Sequence, residues 1–118
     1  MPSKNVNRFL AIFLSIALLQ PSGVGVALPT GENVVAGTAD FQRLDQTLNI
    51  TASDQSIIEY SNFDIGTDET VNFFLPSTDS FSLNRILGGL QSNILGSLTA
   101  NGNLLFVNAA GFYFGSQP

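Results

Sequence analysis

Acidic side chains are the first candidates for chemistry, because nine Asp and Glu residues supply most of the charge. Asp64, Asp68 and Glu69 lie close together in the sequence and could form part of a calcium site. The regular Asp-x-Asp-x-Asp-Gly spacing is absent, however, and no two acids are spaced to converge on a cleft. The pattern therefore favours acids that solvate a turn around Gly66, and we expect no metal, cofactor or catalytic residue.

Histidine and cysteine, the side chains most often used in metal binding and nucleophilic catalysis, are both absent from the chain. Their absence excludes ordinary zinc and copper sites, a Ser-His-Asp triad and a cysteine nucleophile. It also excludes disulfides, which many small exported folds need. The chain is therefore expected to depend on its apolar core and strand pairing for stability.

Arg85 is the basic residue whose position is most informative, since it follows Asn84 and stands just before Gly88 and Gly89. The simplest interpretation is a surface arginine that pairs with a nearby acid. The alternative is a specific contact with a partner, for which Asn84 and Arg85 are the best candidates.

Residues 108–111, Asn-Ala-Ala-Gly, follow an apolar segment and precede an aromatic one. An Asn at such a corner can bond its own backbone two residues later, and Gly111 can adopt a positive φ. This pattern predicts a turn with a structural role.

The elements that must position these residues are short strands. Ser, Thr, Asn, Asp and Gly interrupt the apolar residues every few positions, and no stretch shows a convincing helical period. In residues 70–75, Val71, Phe73 and Leu75 share one predicted inner face, and Pro76 ends the strand. The chain is therefore predicted to be all-β.

Two all-β arrangements remain open on these patterns. Residues 104–107 are apolar on both faces, as expected of a strand covered on both sides in a parallel stack. Corners rich in Asn and Gly suit a β-solenoid, because these residues tolerate left-handed conformations. Asn101-Gly102 is equally a strong hairpin signal, which would favour a β-sandwich.

The first 27 residues have the layout of a secretory signal peptide. Lys4 and Arg8 precede an apolar run at 9–19, and the small residues of 25–27 suit cleavage after Ala27. A membrane-spanning helix needs about 20 apolar residues, which this run does not reach. We therefore predict a signal peptide over residues 1–27 and one small domain over residues 28–118.

The predicted mature domain is strongly acidic. It carries nine acidic side chains against two basic ones, Arg43 and Arg85, which leaves a formal charge of −7. Nucleic acids and anionic lipids are bound through clustered Lys and Arg, so this composition argues against both partners and against stable membrane insertion.

Several segments of this domain, in order and spacing, resemble the amino-terminal secretion domain of filamentous-haemagglutinin-like exoproteins, the two-partner secretion family. They are 31–37 (GENVVAG), 62–66 (NFDIG), 69–73 (ETVNF), 83–89 (LNRILGG), 94–98 (ILGSL), 100–102 (ANG), 105–111 (LFVNAAG) and 114–115 (FG).

The resemblance implies a right-handed parallel β-helix with a capping amino-terminal region. It implies a non-catalytic secretion signal of a large adhesin-like exoprotein, exported through the periplasm of a Gram-negative-type bacterium. A cognate outer-membrane transporter is the implied partner, bound through its periplasmic domains. Residues 108–111 correspond to the family's Asn-Pro-Asn-Gly turn, with Ala109 and Ala110 in place of Pro and the second Asn. The candidate recognition residues are Asn84, Arg85, Asn101, Gly102, Asn108 and Gly111.

The family's domain continues beyond the Phe-Gly at 114–115. We therefore expect a truncated β-helix, which is either a fragment of a longer product or a degenerate remnant. Its open end could allow self-association. The alternative function is a β-helix carbohydrate-active enzyme or a glycan-binding adhesin module, in which Tyr60 or Tyr113 would stack on sugars.

Overall fold

Short strands make up most of the structure. The computed structural model describes residues 27–115, so the predicted signal peptide, apart from Ala27, lies outside the described residues. The strands of this range are β1 (Asn33–Ala36), β2 (Ala39–Leu44), β3 (Thr47–Ala52), β4 (Ser56–Tyr60), β5 (Thr70–Phe74), β6 (Phe81–Ile86), β7 (Ser92–Ile94), β8 (Ser97–Ala100), β9 (Asn103–Asn108) and β10 (Phe112–Phe114). Among the described residues, no helix is long and apolar enough to cross a membrane.

The strands form the walls of a parallel β-helix. Sheets with the orders β1-β4-β6-β9, β2-β3-β5-β8 and β7-β10 are present in the described range. Strands that follow each other along the chain from β3 onward lie in different sheets. Each strand from β3 to β7 pairs in parallel with the strand one turn later, as β3 does with β5 and β4 with β6. The predicted parallel β-helix is therefore confirmed, and the β-sandwich alternative is wrong.

Three successive turns, here called rungs, stack along the helix in residues 47–115. The first contains β3, β4 and the segment 63–65, which joins the third wall through a parallel bridge between Ile65 and Ile94. The second contains β5, β6 and β7, and the third contains β8, β9 and β10. Their registers place Thr47 beside Thr70 and Thr70 beside Ser97, so equivalent residues lie above one another.

An antiparallel cap covers the first rung, as the family resemblance implied. β1 pairs antiparallel with β4, and β2 pairs antiparallel with β3. A bulge between Val34 and Ala36 bends β1, and Asp45 adopts a φ of 53° in the turn that joins β2 to β3. The cap leaves the first rung without a free strand edge on these two walls.

Aliphatic and aromatic side chains fill the interior. Val71, Phe73 and Leu75 point inward and are 0%, 1% and 5% exposed, which confirms the predicted inner face of β5. Phe106 lies at the centre of an aromatic group, with its ring centroid 4.9 Å from that of Phe63 and 6.2 Å from that of Phe112. Apolar side chains from successive rungs therefore make one continuous core.

One strand, β6, has a partly inverted pattern, with two polar side chains inside. On β6, Ser82 and Asn84 are completely buried, whereas the alternate residues Phe81 and Leu83 point outward. The buried groups are paired with the preceding rung. The Ser56 hydroxyl donates to Ser82 Oγ at 2.8 Å, and the Tyr60 hydroxyl donates to Asn84 Oδ1 at 2.7 Å.

Tyr60 makes this buried network sensitive to alkaline pH. Burial, with a further contribution from the Glu32 carboxylate, raises the pKa of the Tyr60 phenol far above its ordinary value. A group whose pKa is raised on folding contributes stability below its unfolded pKa, about 10 for tyrosine, and loses it as the pH rises further.

We expect the free energy of unfolding to decline as the pH rises above about 10, and Tyr60→Phe to flatten this decline. At neutral pH the same variant should lose about 1–3 kcal/mol, because it leaves the buried Asn84 oxygen without its donor. Denaturant unfolding followed from pH 7 to 11 measures both effects. Tyr113→Phe, at the exposed second tyrosine, is the control, and an unaltered pH dependence in Tyr60→Phe would contradict the assignment.

Candidate functional site

Arg85 lies on the outer side of β6 and forms an ion pair. Its Nη2 is 2.7 Å from Glu59 Oε2, and Glu59 is the residue beside it on β4. The Arg85 side chain is 41% exposed, but its Nε is buried and has no hydrogen-bond partner among the described residues. The predicted pairing with a nearby acid is therefore confirmed, and part of the Arg85 side chain remains accessible.

Arg43 provides a comparison, since it is paired in a similar way. Its Nη2 donates to Glu32 Oε1 and to the Pro29 carbonyl, both at 2.8 Å, and its side chain is 40% exposed. Ion pairs with this degree of exposure contribute about 0–1 kcal/mol. Neither pair is therefore needed for stability, and the two arginines differ mainly in location, one on the cap and the other on the β6 wall.

Asn84, the second candidate on β6, points into the interior. Its Oδ1 accepts from Tyr60, and its Nδ2 lies within weak bonding distance of the Ser82 and Leu105 carbonyls, at 3.3 and 3.4 Å. A side chain in this position does not reach a molecule bound to the outer surface. The geometry gives Asn84 a positioning role inside the β6 wall.

Asn101 and Gly102 form a corner between β8 and β9, not a hairpin, because these strands belong to different sheets. Asn101 Oδ1 accepts from the Leu75 amide at 2.7 Å, and its Nδ2 donates to the Leu75 carbonyl at 2.9 Å. A Cβ on Gly102 would press on Leu75 and on the Ser80 carbonyl. The Asn101 side chain thus bonds the backbone of the preceding rung as a strand backbone would. Gly102, which has no Cβ, allows the chain to lie close to Leu75 and Ser80 at this corner.

Residues 108–111 form the turn that the sequence predicted. Asn108 Oδ1 accepts from the Ala110 amide at 2.9 Å, and the Gly111 amide donates to the Asn108 carbonyl at 2.9 Å. Gly111 has a φ of 91°. The Asn108 amide also donates to the Leu90 carbonyl and to Ser92 Oγ of the second rung. The turn is therefore complete with Ala109 and Ala110 at its centre.

The candidate residues share one part of the molecule. Arg85 lies on the outer face of the wall formed by β4, β6 and β9, and Asn84 lies behind it. Asn101-Gly102 and 108–111 are the corners that precede and follow β9. This wall with its two corners is called the β9 wall below.

Acidic side chains turn out to be structural clamps between rungs or within turns. Asp54 Oδ1 accepts from the Phe81 amide at 3.0 Å, and Asp64 Oδ1 accepts from the Asn93 amide at 2.8 Å, each one rung later. Glu69 is buried and accepts from the Gly66 and Ala27 amides. The predicted turn around Gly66 is present, but Glu69 is enclosed in it and not solvated.

Local sequence reveals only the acceptor of each of these hydrogen bonds. An acid beside a turn is a recognised pattern, whereas the amide that it binds lies more than twenty residues away in the sequence for both Asp54 and Asp64. The described residues hold no group of three or more Asp, Glu, His or Cys placed to bind a metal ion.

Comparison with known proteins relates this architecture to secretion. The sequence model of the TPS secretion domain family matches residues 26–117. The chain is 36% identical over 85 residues to a heme/hemopexin-binding protein of Haemophilus influenzae, and 32% identical over 108 residues to another protein of that name and species. These matches cover 71% and 86% of the chain but only 9% and 12% of the two relatives.

A solved structure supports the same relationship. The crystal structure of the HMW1 secretion domain from Haemophilus influenzae superimposes with a TM-score of 0.73 at 31% sequence identity. The match covers 74% of this chain and 23% of that one. The chain thus spans about a tenth of the curated relatives and about a quarter of the solved domain.

Restoring the family's proline should stabilise the turn at 108–111. Ala109 is exposed, its amide donates no hydrogen bond in the structure, and the second position of such a turn accepts the φ of proline. Ala109→Pro should therefore raise the free energy of unfolding by about 0.4–1 kcal/mol. Thermal or urea unfolding measures it, and destabilisation by Ala109→Pro would contradict the turn geometry.

Gly111→Ala should act in the opposite direction, lowering stability by about 1 kcal/mol, because alanine is strained at this positive φ. There is no heavy atom within 4 Å of the added Cβ, so the loss isolates backbone strain from crowding. A neutral substitution would contradict the left-handed conformation.

Proposed function

The chain belongs to the TPS secretion domain family, and we propose that it is the secretion signal of a larger exported exoprotein. In this proposal residues 1–27 direct export into the periplasm and are removed after Ala27. The β-helix that follows is then bound by the periplasmic region of a cognate outer-membrane transporter. The exoprotein would reach the cell surface or the medium of a Gram-negative-type bacterium and would act as an adhesin.

One observation carries the proposal. The family match at 26–117 extends over almost the whole predicted mature domain, so it does not depend on one short motif. TPS secretion domains are non-catalytic and are recognised by cognate outer-membrane transporters. Exoproteins with such domains leave Gram-negative bacteria by way of the periplasm.

The alternative function receives no support from the family relationship. The side chain of Tyr60, a suggested sugar-stacking residue, is 1% exposed and its hydroxyl is bonded to Asn84. Tyr113 is exposed, but the described residues hold no group of three or more Asp, Glu, His or Cys that could bind a metal ion beside it. We therefore propose a chain without enzymatic activity.

The β9 wall offers two means of recognition. The first is addition of a strand from the transporter to a sheet edge, through main-chain hydrogen bonds. Side chains then provide the specificity. Arg85 is the candidate for direct contact, because its side chain is partly exposed, whereas Asn101, Gly102, Asn108 and Gly111 shape the corners.

The lack of cysteine suits the proposed route. The periplasm is an oxidising compartment in which cysteines form disulfides, and a cross-linked domain could not be drawn out into a single strand. A cysteine-free β-helix is held only by non-covalent contacts, which can break and re-form during passage through a transporter.

Arg85→Gln should weaken binding to the purified periplasmic region of the cognate transporter about tenfold, if Arg85 is one of the few contacts that dominate the affinity. Arg43→Gln is the matched control, with the same residue type, a similar exposure and an ion pair of its own, and should change the affinity less than twofold. Surface plasmon resonance with the exported chain in its native form provides the measurement.

Two outcomes of this experiment would contradict the proposal, in whole or in part. If the native form shows no binding to the transporter region, the proposed function is wrong. If it binds but the two arginine variants behave alike, the function stands and the role of Arg85 is wrong.

A further inference from the structure

The outer surface of the β9 wall is apolar where a solvated sheet would be polar. Residues of β6 that point outward include Phe81 and Leu83, and Leu87, just beyond the strand, is 63% exposed. On β9, Leu105 and Val107 point outward and are each 53% exposed. The inner face of β6 carries Ser82 and Asn84 beside Ile86, and its outer face carries Phe81 and Leu83 beside Arg85, so the usual polarity of a surface strand is partly reversed here.

The apolar side chains are aligned across the strands. Ala36, Ile57, Leu83 and Leu105 are register partners on β1, β4, β6 and β9. Neighbouring strands lie about 4.8 Å apart, so these side chains form a continuous band across the wall, here called the aliphatic row. Monomeric soluble proteins rarely expose large contiguous apolar patches, and such patches usually mark interaction sites.

The sequence pattern of β9 also indicates a covered outer face. Residues 104–107 are apolar on both faces, which is typical of a strand with protein on both sides. Leu104 and Phe106 pack on the core, but nothing in residues 27–115 covers Leu105 and Val107. The outer face therefore has the composition of a buried strand without a partner.

Charge distinguishes among candidate partners. The outward charges of β4, β6 and β9 are Glu59 and Arg85, which neutralise each other. Asp54 and Asp79 lie at the corners before the wall, and Asp64 lies beyond its other edge. The surface thus has an apolar, locally neutral centre with two acidic side chains at one edge and one at the other, together called the acidic rim.

This arrangement argues against two occupants. A second copy of the chain would bring one acidic rim against another, and like charges brought together at an interface cost several kcal/mol. An anionic membrane would be repelled by the same rim. The complementary partner is a protein surface with an apolar centre flanked by basic side chains.

We propose that the aliphatic row and Val107 are the surface that docks on the transporter's periplasmic region, through an apolar patch flanked by Lys or Arg. This inference rests on the proposed function and specifies which face carries it. Side-chain packing over the β9 wall supplies the affinity, and the acidic rim steers the encounter, so binding is weakened by salt.

The test uses the native exported form with the double substitution Leu105→Asn and Val107→Thr. Both residues point to solvent, so the fold should persist, as circular dichroism would verify. Affinity for the purified periplasmic region of the transporter should fall at least tenfold. Phe74→Asn is the matched control, because Phe74 is 47% exposed on the outer face of another wall, and should change the affinity less than twofold.

Cysteine labelling provides a second readout, since the chain has no cysteine of its own. A Leu105→Cys variant should react rapidly with a maleimide when free and at least tenfold more slowly when the transporter region is bound. A Phe74→Cys variant should react at the same rate in both states.

Each failure has a separate meaning. If the native form binds the transporter but the double substitution leaves its affinity unchanged, the docking surface is wrong and the proposed function stands. Slow labelling at position 105 without transporter would mean that another part of the chain or a second copy covers the row, which overturns the proposal. No binding by the native form would overturn the proposed function itself.

Discussion

The structure depends on the stacking of each strand on the strand one turn earlier. A parallel pair cannot be closed by a tight turn, so from β3 onward the main-chain hydrogen bonds between parallel strands connect segments that lie a whole rung apart. Register is maintained on all three walls at once, with Thr47 above Thr70 and Ser92 above Phe112. A shift of one residue on any wall would exchange its inner and outer faces, so the corners must deliver each strand in the correct register.

Side chains at the corners continue the ladder where the main chain turns away. Asn101 bonds both polar groups of Leu75, and Asp54 and Asp64 each accept an amide of the next rung. An unpaired buried amide or carbonyl costs free energy comparable to a lost hydrogen bond. These clamps give a structural role to three of the Asn and Asp residues that the sequence places between its strands, namely Asp54, Asp64 and Asn101.

The sequence predicted the parts of the fold that depend on local chemistry. The inner face of β5 follows from alternation, and the turn at 108–111 follows from the bonding range of Asn and the flexibility of Gly111. Asn101-Gly102 is ambiguous in the sequence, because hairpin turns and β-helix corners use the same residues. The two structures differ only in whether the strand after the turn pairs with the strand before it. Asn84 was named as a surface candidate, yet its partner is Tyr60, a full rung earlier, and no local pattern reveals that contact.

On β6, the hydrogen bonding of the buried side chains determines which side chains are exposed to solvent. In a strand whose side chains alternate between two faces, the face that can be buried stably determines which side chains remain on the outer surface. Across the rungs, Ser56 bonds Ser82 and Tyr60 bonds Asn84. Polar groups that are paired in this way can be buried at little net cost in free energy. The ring of Tyr60 still packs on Phe63 at 5.1 Å, so the core keeps its apolar contacts. Because Ser82 and Asn84 are stable inside, Phe81 and Leu83 on the other face of β6 are available to solvent, and the wall acquires an exposed apolar surface beside Arg85.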